Sequence, residues 1–223
     1  MDRPGEDRPV LDAGGFAQWV AALFAALTTD AESDVPCGTC TACCTSSQFV
    51  HIAPDEVDTL ARIPSQLLFS APMRPTGHMV MGYDERGHCP MFVDNTCSIY
   101  AARPRTCRVY DCRVFTASGI TDDDPNRAAI DAQARRWRFD YRTSDDRNRQ
   151  DAVRAAAAYI DRIGQRLDAF AVPSNPTQRA VLAVEIHHAF MAGDGPNNHD
   201  EVAVNAALRQ ALGSLRPPNS PPP

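Results

Sequence analysis

Lysine is missing from this 223-residue sequence: all 22 basic residues are arginine. Alongside abundant alanine and 18 prolines, this reads as the codon usage of a GC-rich genome, not as selection for guanidinium chemistry. An excess of positive charge is missing too. A net charge of −6 and a pI of about 5.5 speak against a protein that coats nucleic acid by bulk charge. The longest apolar run near the start, Trp19 to Leu27, falls far short of the ~20 residues that span a bilayer, so no membrane association is expected. The sequence has no internal repeat, no Ser/His/Asp arrangement, no phosphate-binding glycine loop and no HExxH motif, so the function classes those features mark have no support. Cysteine is missing from residues 1–36 and 113–223, although the chain holds 8 of them. That distribution excludes cysteines scattered as small core residues. What remains, 43% hydrophobic and 22% charged residues, is the composition of a globular chain long enough to bury a core.

The segment Met1-Asp-Arg-Pro-Gly-Glu-Asp-Arg-Pro lacks a cationic stretch running into an apolar one, so the expectation is an unexported, cytoplasmic protein. In a reducing compartment, dense cysteine implies metal or redox work, whereas four disulfides would require export.

Apolar residues at helical spacing (Leu11, Phe16, Trp19, Val20, Leu23, Phe24, Leu27) predict an amphipathic helix over 11–28. Residues 28–36 read as an acidic loop. Ser47 to Ala53 predicts a short strand, Pro54 to Ile63 a helix with proline in its first turn, and His78 to Tyr83 a second strand. Residues 87–112 carry Pro, Cys and Arg with no period, so something other than a conventional core must hold them. Helices are expected from Asp124, over 151–170, from Asn175 through Met191 and over 201–212, and the proline-rich tail 216–223 should be disordered. Between them, Trp137, Phe139 and Tyr141 alternate with Arg136, Arg138, Asp140 and Arg142, the period of a strand. Arginine interleaved with aromatics also serves single-stranded nucleic acid, but with Asp140, Asp145 and Asp146 close by, nucleic acid is not the expected partner.

The informative motif is Cys37-Gly-Thr-Cys40-Thr-Ala-Cys43-Cys44. Three cysteines at CxxCxxC, needing a distant fourth, match the way ferredoxin-type sequences wrap a [4Fe–4S] cluster. The distant cysteines are Cys89, Cys97, Cys107 and Cys112, and Cys89 is followed by Pro90, as in the Cys-Pro that closes such runs. Zinc carries equal weight, because Cys37/Cys40 is a short-spaced pair and Cys107/Cys112 a looser one. Eight thiolates suit two zinc ions, or one cluster with four cysteines to spare. The adjacent side chains of Cys43 and Cys44 point in different directions in most backbone conformations, so one of them suits a second metal or a free thiol. Arg103, Arg105, Arg108 and Arg113 flank Cys107 and Cys112, where cations lower thiol pKa and offset thiolate charge. His88 adjoins Cys89 and is a substitute ligand. His51 reads as a strand residue, and His187 and His188 as packing or surface residues of a C-terminal helix.

Together, Cys37-Gly-Thr-Cys-Thr-Ala-Cys-Cys44, Gly87-His-Cys-Pro-Met-Phe92, Asn95-Thr-Cys-Ser-Ile-Tyr-Ala-Ala-Arg-Pro-Arg-Thr-Cys-Arg108 and Tyr110-Asp-Cys112 resemble the YkgJ-type CxxCxxCC cysteine-cluster family. The resemblance covers residues 36–113 and implies a domain that chelates zinc or iron, the latter as an iron–sulfur cluster. Flagellin lysine-methylases carry a similar cluster, which adds an enzymatic alternative (redox or group transfer) with no glycine-rich loop for S-adenosylmethionine here. A metal-handling or buffering protein is the third class. The Arg103-Pro104 pair is expected to set the turn that delivers Cys107, with Tyr100 packed beneath it. The expected fold class is α+β: a small irregular cysteine-rich segment with short strands, organised by metal and packed against flanking helices, and a mostly helical C-terminal half. The expected division is an N-terminal helix and loop (1–35), the cysteine-cluster domain (36–120), a helical region (121–215) and the tail (216–223). All eight cysteines are the candidate metal ligands, with an iron–sulfur cluster or zinc as the cofactor.

Overall fold

The computed structural model describes residues 9–29, 33, 35–72, 74–164, 172–191 and 200–215. The expected disordered tail and the last residues of the helix expected over 151–170 lie outside that set. The fold is α+β, with helices predominating and three small sheets among the described residues.

The first element differs from the helix expected over 11–28. Leu11–Gly15 is a strand, β1, and the helix α1 covers Phe16–Thr28. Two features stop the helix from reaching back to Leu11. Gly14 adopts φ +80°, a left-handed conformation that ends regular structure and suits glycine. The backbone of residues 11–15 also finds a partner strand far away in sequence: Leu11 pairs in parallel with Trp137, Asp12 with Arg138 and Gly15 with Asp140. Once α1 begins, Phe16, Trp19, Val20 and Leu23 fall on one stripe and are all buried.

The cysteine-rich half holds the other two sheets. Strands β2 (Val50–Ile52), β3 (Leu68–Ser70) and β4 (Met79–Met81) form an antiparallel sheet with β4 in the centre. Helix α2 lies between β2 and β3 and runs Val57–Arg62, starting later than the helix expected from Pro54. The carboxylate of Glu56 explains the delay. Its Oε1 accepts from the backbone N–H of Ala53 at 2.8 Å, and its Oε2 accepts from that of Arg105 at 2.5 Å, so the first turn is built around a tertiary contact. Val50, Ile52, Ile63, Met81 and Ile99 form a small core under this sheet. The stretch 87–112, expected to lack regular structure, contains a hairpin of β5 (Phe92–Val93) and β6 (Thr96–Cys97). Its two-residue turn places Asp94 (φ 49°) and Asn95 (φ 64°) in the left-handed region, which Asp and Asn tolerate better than most residues. Helix α3 (Arg105–Val109) follows, then α4 (Arg113–Ser118), closed by Gly119 at φ +75°, a left-handed helix cap.

The remaining elements are α5 (Ala128–Ala134), β7 (Trp137–Asp140), α6 (Ser144–Gly164), α7 (Pro176–Ile186) and α8 (Glu201–Leu215). The helix expected through Met191 ends at Ile186 and passes into a 3₁₀ turn, His187–Phe190. Asn175 caps α7, accepting from the N–H of Gln178 at 3.2 Å, with Pro176 in the first turn. Ala152, Ala156 and Ala157 on α6 are buried with Leu182, Ala183 and Ile186 of α7 and Val204 and Leu208 of α8 in one apolar core. A further core gathers Phe16, Trp19, Trp137, Phe139, Val153 and Val184 around Cys112. The aromatics of β7 are therefore committed to the interior: Trp137 and Phe139 are both buried, and the half-buried Tyr141 just past the strand stacks on Phe16 with ring centroids 5.8 Å apart.

Candidate metal centre

The chain from Val35 to Ala42 leans against the core around Cys112 and carries the first two cysteines in a tight turn. Cys40 N–H donates to the Cys37 carbonyl at 2.9 Å, and Gly38 sits at φ +55°, which favours a residue without Cβ. Cys43 and Cys44 lie in a 3₁₀ turn, Ala42–Thr45. That turn is closed by Cys44 N–H to Thr41 C=O at 2.9 Å and by Ser46 Oγ, which donates to the Ala42 carbonyl at 2.6 Å. The Cys44 carbonyl then accepts from Cys89 N–H at 2.8 Å, and Ser47 N–H donates to the Gly87 carbonyl at 2.8 Å. These two bonds bind the CxxCxxCC turn to the Gly87-His-Cys-Pro segment.

From Cys89 the chain turns directly into the hairpin, with Phe92 N–H donating to the Cys89 carbonyl at 2.9 Å. Phe92 is the cross-strand partner of Cys97. Cys107 is placed by α3, which packs on β2 through Thr106 Oγ1 donating to the His51 carbonyl at 2.7 Å. Cys112 starts α4, and its sulfur accepts from the indole Nε1–H of Trp137 at 3.3 Å. All eight cysteines are free thiols. Cys37, Cys43 and Cys107 are exposed, Cys112 is buried and the other four are partly buried.

Several of the thiols feel the charge of others. Cys37 is pushed up to about 11 by desolvation, then by Cys43 and Cys40. Cys112 is pushed up to about 12 by desolvation, opposed by the Trp137 hydrogen bond, with Cys37 and Cys40 among its charged neighbours. Cys107 is pushed up to about 12 by crowding from surrounding protein, then by Cys43, Cys89 and Cys97. Cys89 is raised by burial and by the neighbouring charges of Cys97 and Cys43. Cys43 goes the other way, down to about 7, because the Cys44 thiol donates to it, with further help from backbone N–H groups and Arg103. The same bond holds Cys44 firmly protonated. A thiol drawn down to about 7 is a natural entry point for a cation, since metal ligation displaces thiol protons.

A buried polar clamp fixes the Cys112 end. Asp111 accepts from Trp19 Nε1 at 2.8 Å and from Arg113 Nη2 at 2.8 Å, while Arg113 Nη1 donates to the Ala13 carbonyl at 3.2 Å. This buried pair ties β1 and α1 to the backbone on both sides of Cys112. Neither the clamp nor the Trp137 donor was foreseen from the sequence. The Tyr110-Asp-Cys-Arg113 string signals only that a carboxylate and a guanidinium are close at hand.

Other expectations are corrected in detail. Tyr100 does not pack beneath the Arg103-Pro104 turn; it is 64% exposed, and Arg103 lies over its ring at 4.2 Å. The turn itself stands, with Pro104 preceding α3 and its carbonyl accepting from Cys107 N–H at 2.8 Å. Arg105 extends toward Asp55 (3.7 Å), and Arg113 turns to Asp111. His88 is held by its backbone N–H on the Asp84 carboxylate at 2.8 Å, with its ring edge-on to Phe92. His51 lies in strand β2, as expected, and its ring pairs with His78, ring nitrogens 2.9 Å apart. His187 is buried in its 3₁₀ turn.

The donor chemistry suits zinc or iron: soft thiols, none of them in a disulfide, one of them drawn down to about 7 with Arg103 among the causes. Among the described residues no three His, Cys, Asp or Glu side chains are grouped so as to hold a metal ion. Beside the cysteine turn, a cleft of about 280 Å³ is lined by Phe49, Tyr83, Asn126, Arg127 and Gln178 and contains no thiol. No helix among the described residues is long and apolar enough to cross a membrane.

Among curated proteins and among solved structures, none matches this chain. Residues 36–133, under half of the chain, match the CxxCxxCC family, described as a "putative zinc- or iron-chelating domain".

Proposed function

We propose that the protein chelates a transition metal through its cysteine thiolates, either iron as an iron–sulfur cluster or zinc, in a reducing cytoplasm. The observation that carries this reading is that eight free cysteines lie within residues 37–112, in the segment that matches a family described as zinc- or iron-chelating. Two parts of that segment are joined by Cys89 N–H on the Cys44 carbonyl. Three of the cysteines, Cys37, Cys43 and Cys107, are exposed, which would be a liability in structural fillers, and all eight are concentrated where regular structure is least developed. Metal would supply cross-links between short strands and turns that bury little on their own.

The test is anaerobic purification of the full chain, followed by metal and acid-labile sulfide analysis and absorption spectroscopy. Brown protein with iron and sulfide identifies a cluster, and colourless protein with stoichiometric zinc identifies the zinc form. Metal-free protein that stays folded under chelator and reductant refutes both.

The exposure of Cys37, Cys43 and Cys107 favours a metal-handling role as the second reading, because solvent-facing ligands exchange more readily than enclosed ones. Transfer to a chromophoric chelator within minutes supports it, and retention over hours points to a resident metal. For an enzymatic role in redox or group transfer, rapid alkylation of one thiol in the metal-bound protein is the discriminating observation.

A further inference from the structure

The sheet of β2, β4 and β3 turns Val50, Ile52 and Met81 onto the small core beneath it. Three aromatic side chains of the same region stay open to solvent: Phe49 is 62% exposed, Phe69 44% and Tyr83 43%. They form a cluster. Phe49 lies edge-on to Phe69 with ring centroids 6.2 Å apart, and its centroid is 5.1 Å from that of Tyr83. Single exposed apolar side chains are normal on a protein surface, whereas exposed rings grouped together mark a binding surface.

The cluster continues into the cleft of about 280 Å³ beside the cysteine turn, where Phe49 and Tyr83 share the lining with Asp124, Arg127, Asn175 and Gln178. Among the described residues, the Tyr83 hydroxyl and the Gln178 side-chain amide make no hydrogen bond, so both are donors available to a ligand. The local charge is negative, because Arg127 is paired with both Asp122 and Asp124, one carboxylate more than a single guanidinium neutralises. These features call for a ligand with a stiff apolar surface, carbonyls that accept hydrogen bonds, and a positive charge.

The chain carries such a segment. Residues 216–223, Arg-Pro-Pro-Asn-Ser-Pro-Pro-Pro, contain five prolines and one arginine and follow directly on α8. Proline-rich segments favour the polyproline II helix, which leaves its carbonyls open to hydrogen bonding and docks on aromatic-lined grooves. The starting point is suitable, because α8 runs back along α7. Early in α8, Asn205 accepts from Tyr159 Oη at 2.8 Å, and the Tyr159 ring meets Phe190, just past the C-terminal end of α7. Farther on, Leu208, Ala211 and Leu212 pack on the core shared with α7. Helix α8 therefore ends toward the N-terminus of α7, where Asn175 and Gln178 line the cleft. Eight residues of polyproline II span about 25 Å, against about 16 Å for the whole of α7, so the segment can reach.

We propose that residues 216–223 dock in this cleft of their own chain as a polyproline II strand. The prolines lie on the Phe49 and Tyr83 rings, the carbonyls accept from Tyr83 Oη and Gln178 Nε2, and Arg216 stands against Asp124. Proline restricts the unbound segment as well, so docking costs little backbone entropy and a small contact area suffices. The strand would lie beside the turn that carries Cys43 and Cys44, which Ser47 joins to the cleft.

The test is ¹⁵N relaxation on the full chain, read at the amides of Asn219 and Ser220, with a peptide of residues 216–223 as the undocked reference. Docking gives order parameters of about 0.8 at both amides, with chemical shifts unlike those of the peptide. Phe49→Ala and Gln178→Ala should each lower them below about 0.6 and return the shifts to the peptide values. Phe24→Ala, at an exposed position of α1, should change neither. Two variants on different elements, each checked by far-UV circular dichroism, separate a lost contact from a disturbed fold. Wild-type amides already at the peptide values overturn the proposal. Ordered amides indifferent to both variants also overturn it, because the segment then rests elsewhere. So does order that disappears on dilution, which assigns the cleft to the same segment of a second copy.

Discussion

The indole N–H of Trp137 donates to the sulfur of Cys112 across 3.3 Å, in the interior of the protein. The bond joins two features that look unrelated in the sequence: an arginine–aromatic alternation and the last cysteine. It favours the thiolate form of a group that burial otherwise keeps protonated. It also anchors one proposed ligand to β7, the strand that pairs with β1.

Trp137→Phe keeps most of the apolar bulk and deletes this donor. Loss of one buried hydrogen bond plus a small cavity should cost about 1–3 kcal/mol in unfolding free energy. It should also weaken metal uptake more at pH 7 than at pH 9, because the Cys112 thiol becomes harder to deprotonate. Urea denaturation and Co²⁺ titration at the two pH values check both parts. Equal weakening at both pH values would show that Trp137 acts through packing alone.

Glu185 on α7 is raised to about 7 by desolvation from an ordinary 4.5, and its Oε2 is buried without a hydrogen-bond partner. The folded protein therefore holds this proton to higher pH than the unfolded chain does. The stabilising contribution is complete below about 4.5 and is lost as pH rises through 7. Glu185→Gln removes the titration. The variant should be close to wild type at pH 5 and more stable at pH 8, by on the order of 1–3 kcal/mol after allowance for partial exposure. Thermal melts at the two pH values provide the measurement, and a variant no more stable at pH 8 refutes the assignment.

Gly87→Ala addresses the seam between the cysteine turn and the Cys89 segment. Gly87 sits at φ +78°, and a Cβ there would come within 2.3 Å of Ser47 Oγ. Gly119, at φ +75°, faces open space, so Gly119→Ala carries the conformational cost alone, about 1–2 kcal/mol. Gly87→Ala should lose more stability than Gly119→Ala and reduce metal content, which Gly119→Ala leaves intact. Equal effects on metal content would rule out a special role for the Ser47–Gly87 contact.

Chelation should act locally. Treating the metal-bound protein with chelator under reductant should raise amide exchange in residues 37–47, 89–98 and 105–112. The amides of α6 and α7, whose shared core contains no cysteine, should stay protected. Mass-spectrometric exchange reads this directly, and unchanged exchange around the cysteines would show that the metal contributes nothing to their order.

Much of the helical part was legible because its signals are local. Asn175 followed by Pro176 marks the start of α7, and the apolar stripe of α6 follows the helical period. The alternation at Trp137 also reads correctly as a strand. What misleads is the absence of any local sign of a partner. Leu11 to Gly15 continues the helical pattern of α1, and only pairing with β7 makes it a strand. Residues 92–97 were passed over because a hairpin of two-residue strands is too short to show a period, although Asp94-Asn95 is a turn signal in itself.

By itself, the sequence determined which residues carry thiols, that they form one cysteine-rich segment, and which family that segment is similar to. Those are properties of residue type and spacing, which survive in the unfolded chain. Only the tertiary structure decided which thiols are neighbours, that Cys112 rests on the helical core while Cys89 and Cys97 rest on the sheet, and that Trp137 and the Asp111–Arg113 pair hold one end in place. Those relations depend on contacts between residues far apart in the chain, made as separate apolar cores form, and no local pattern encodes them.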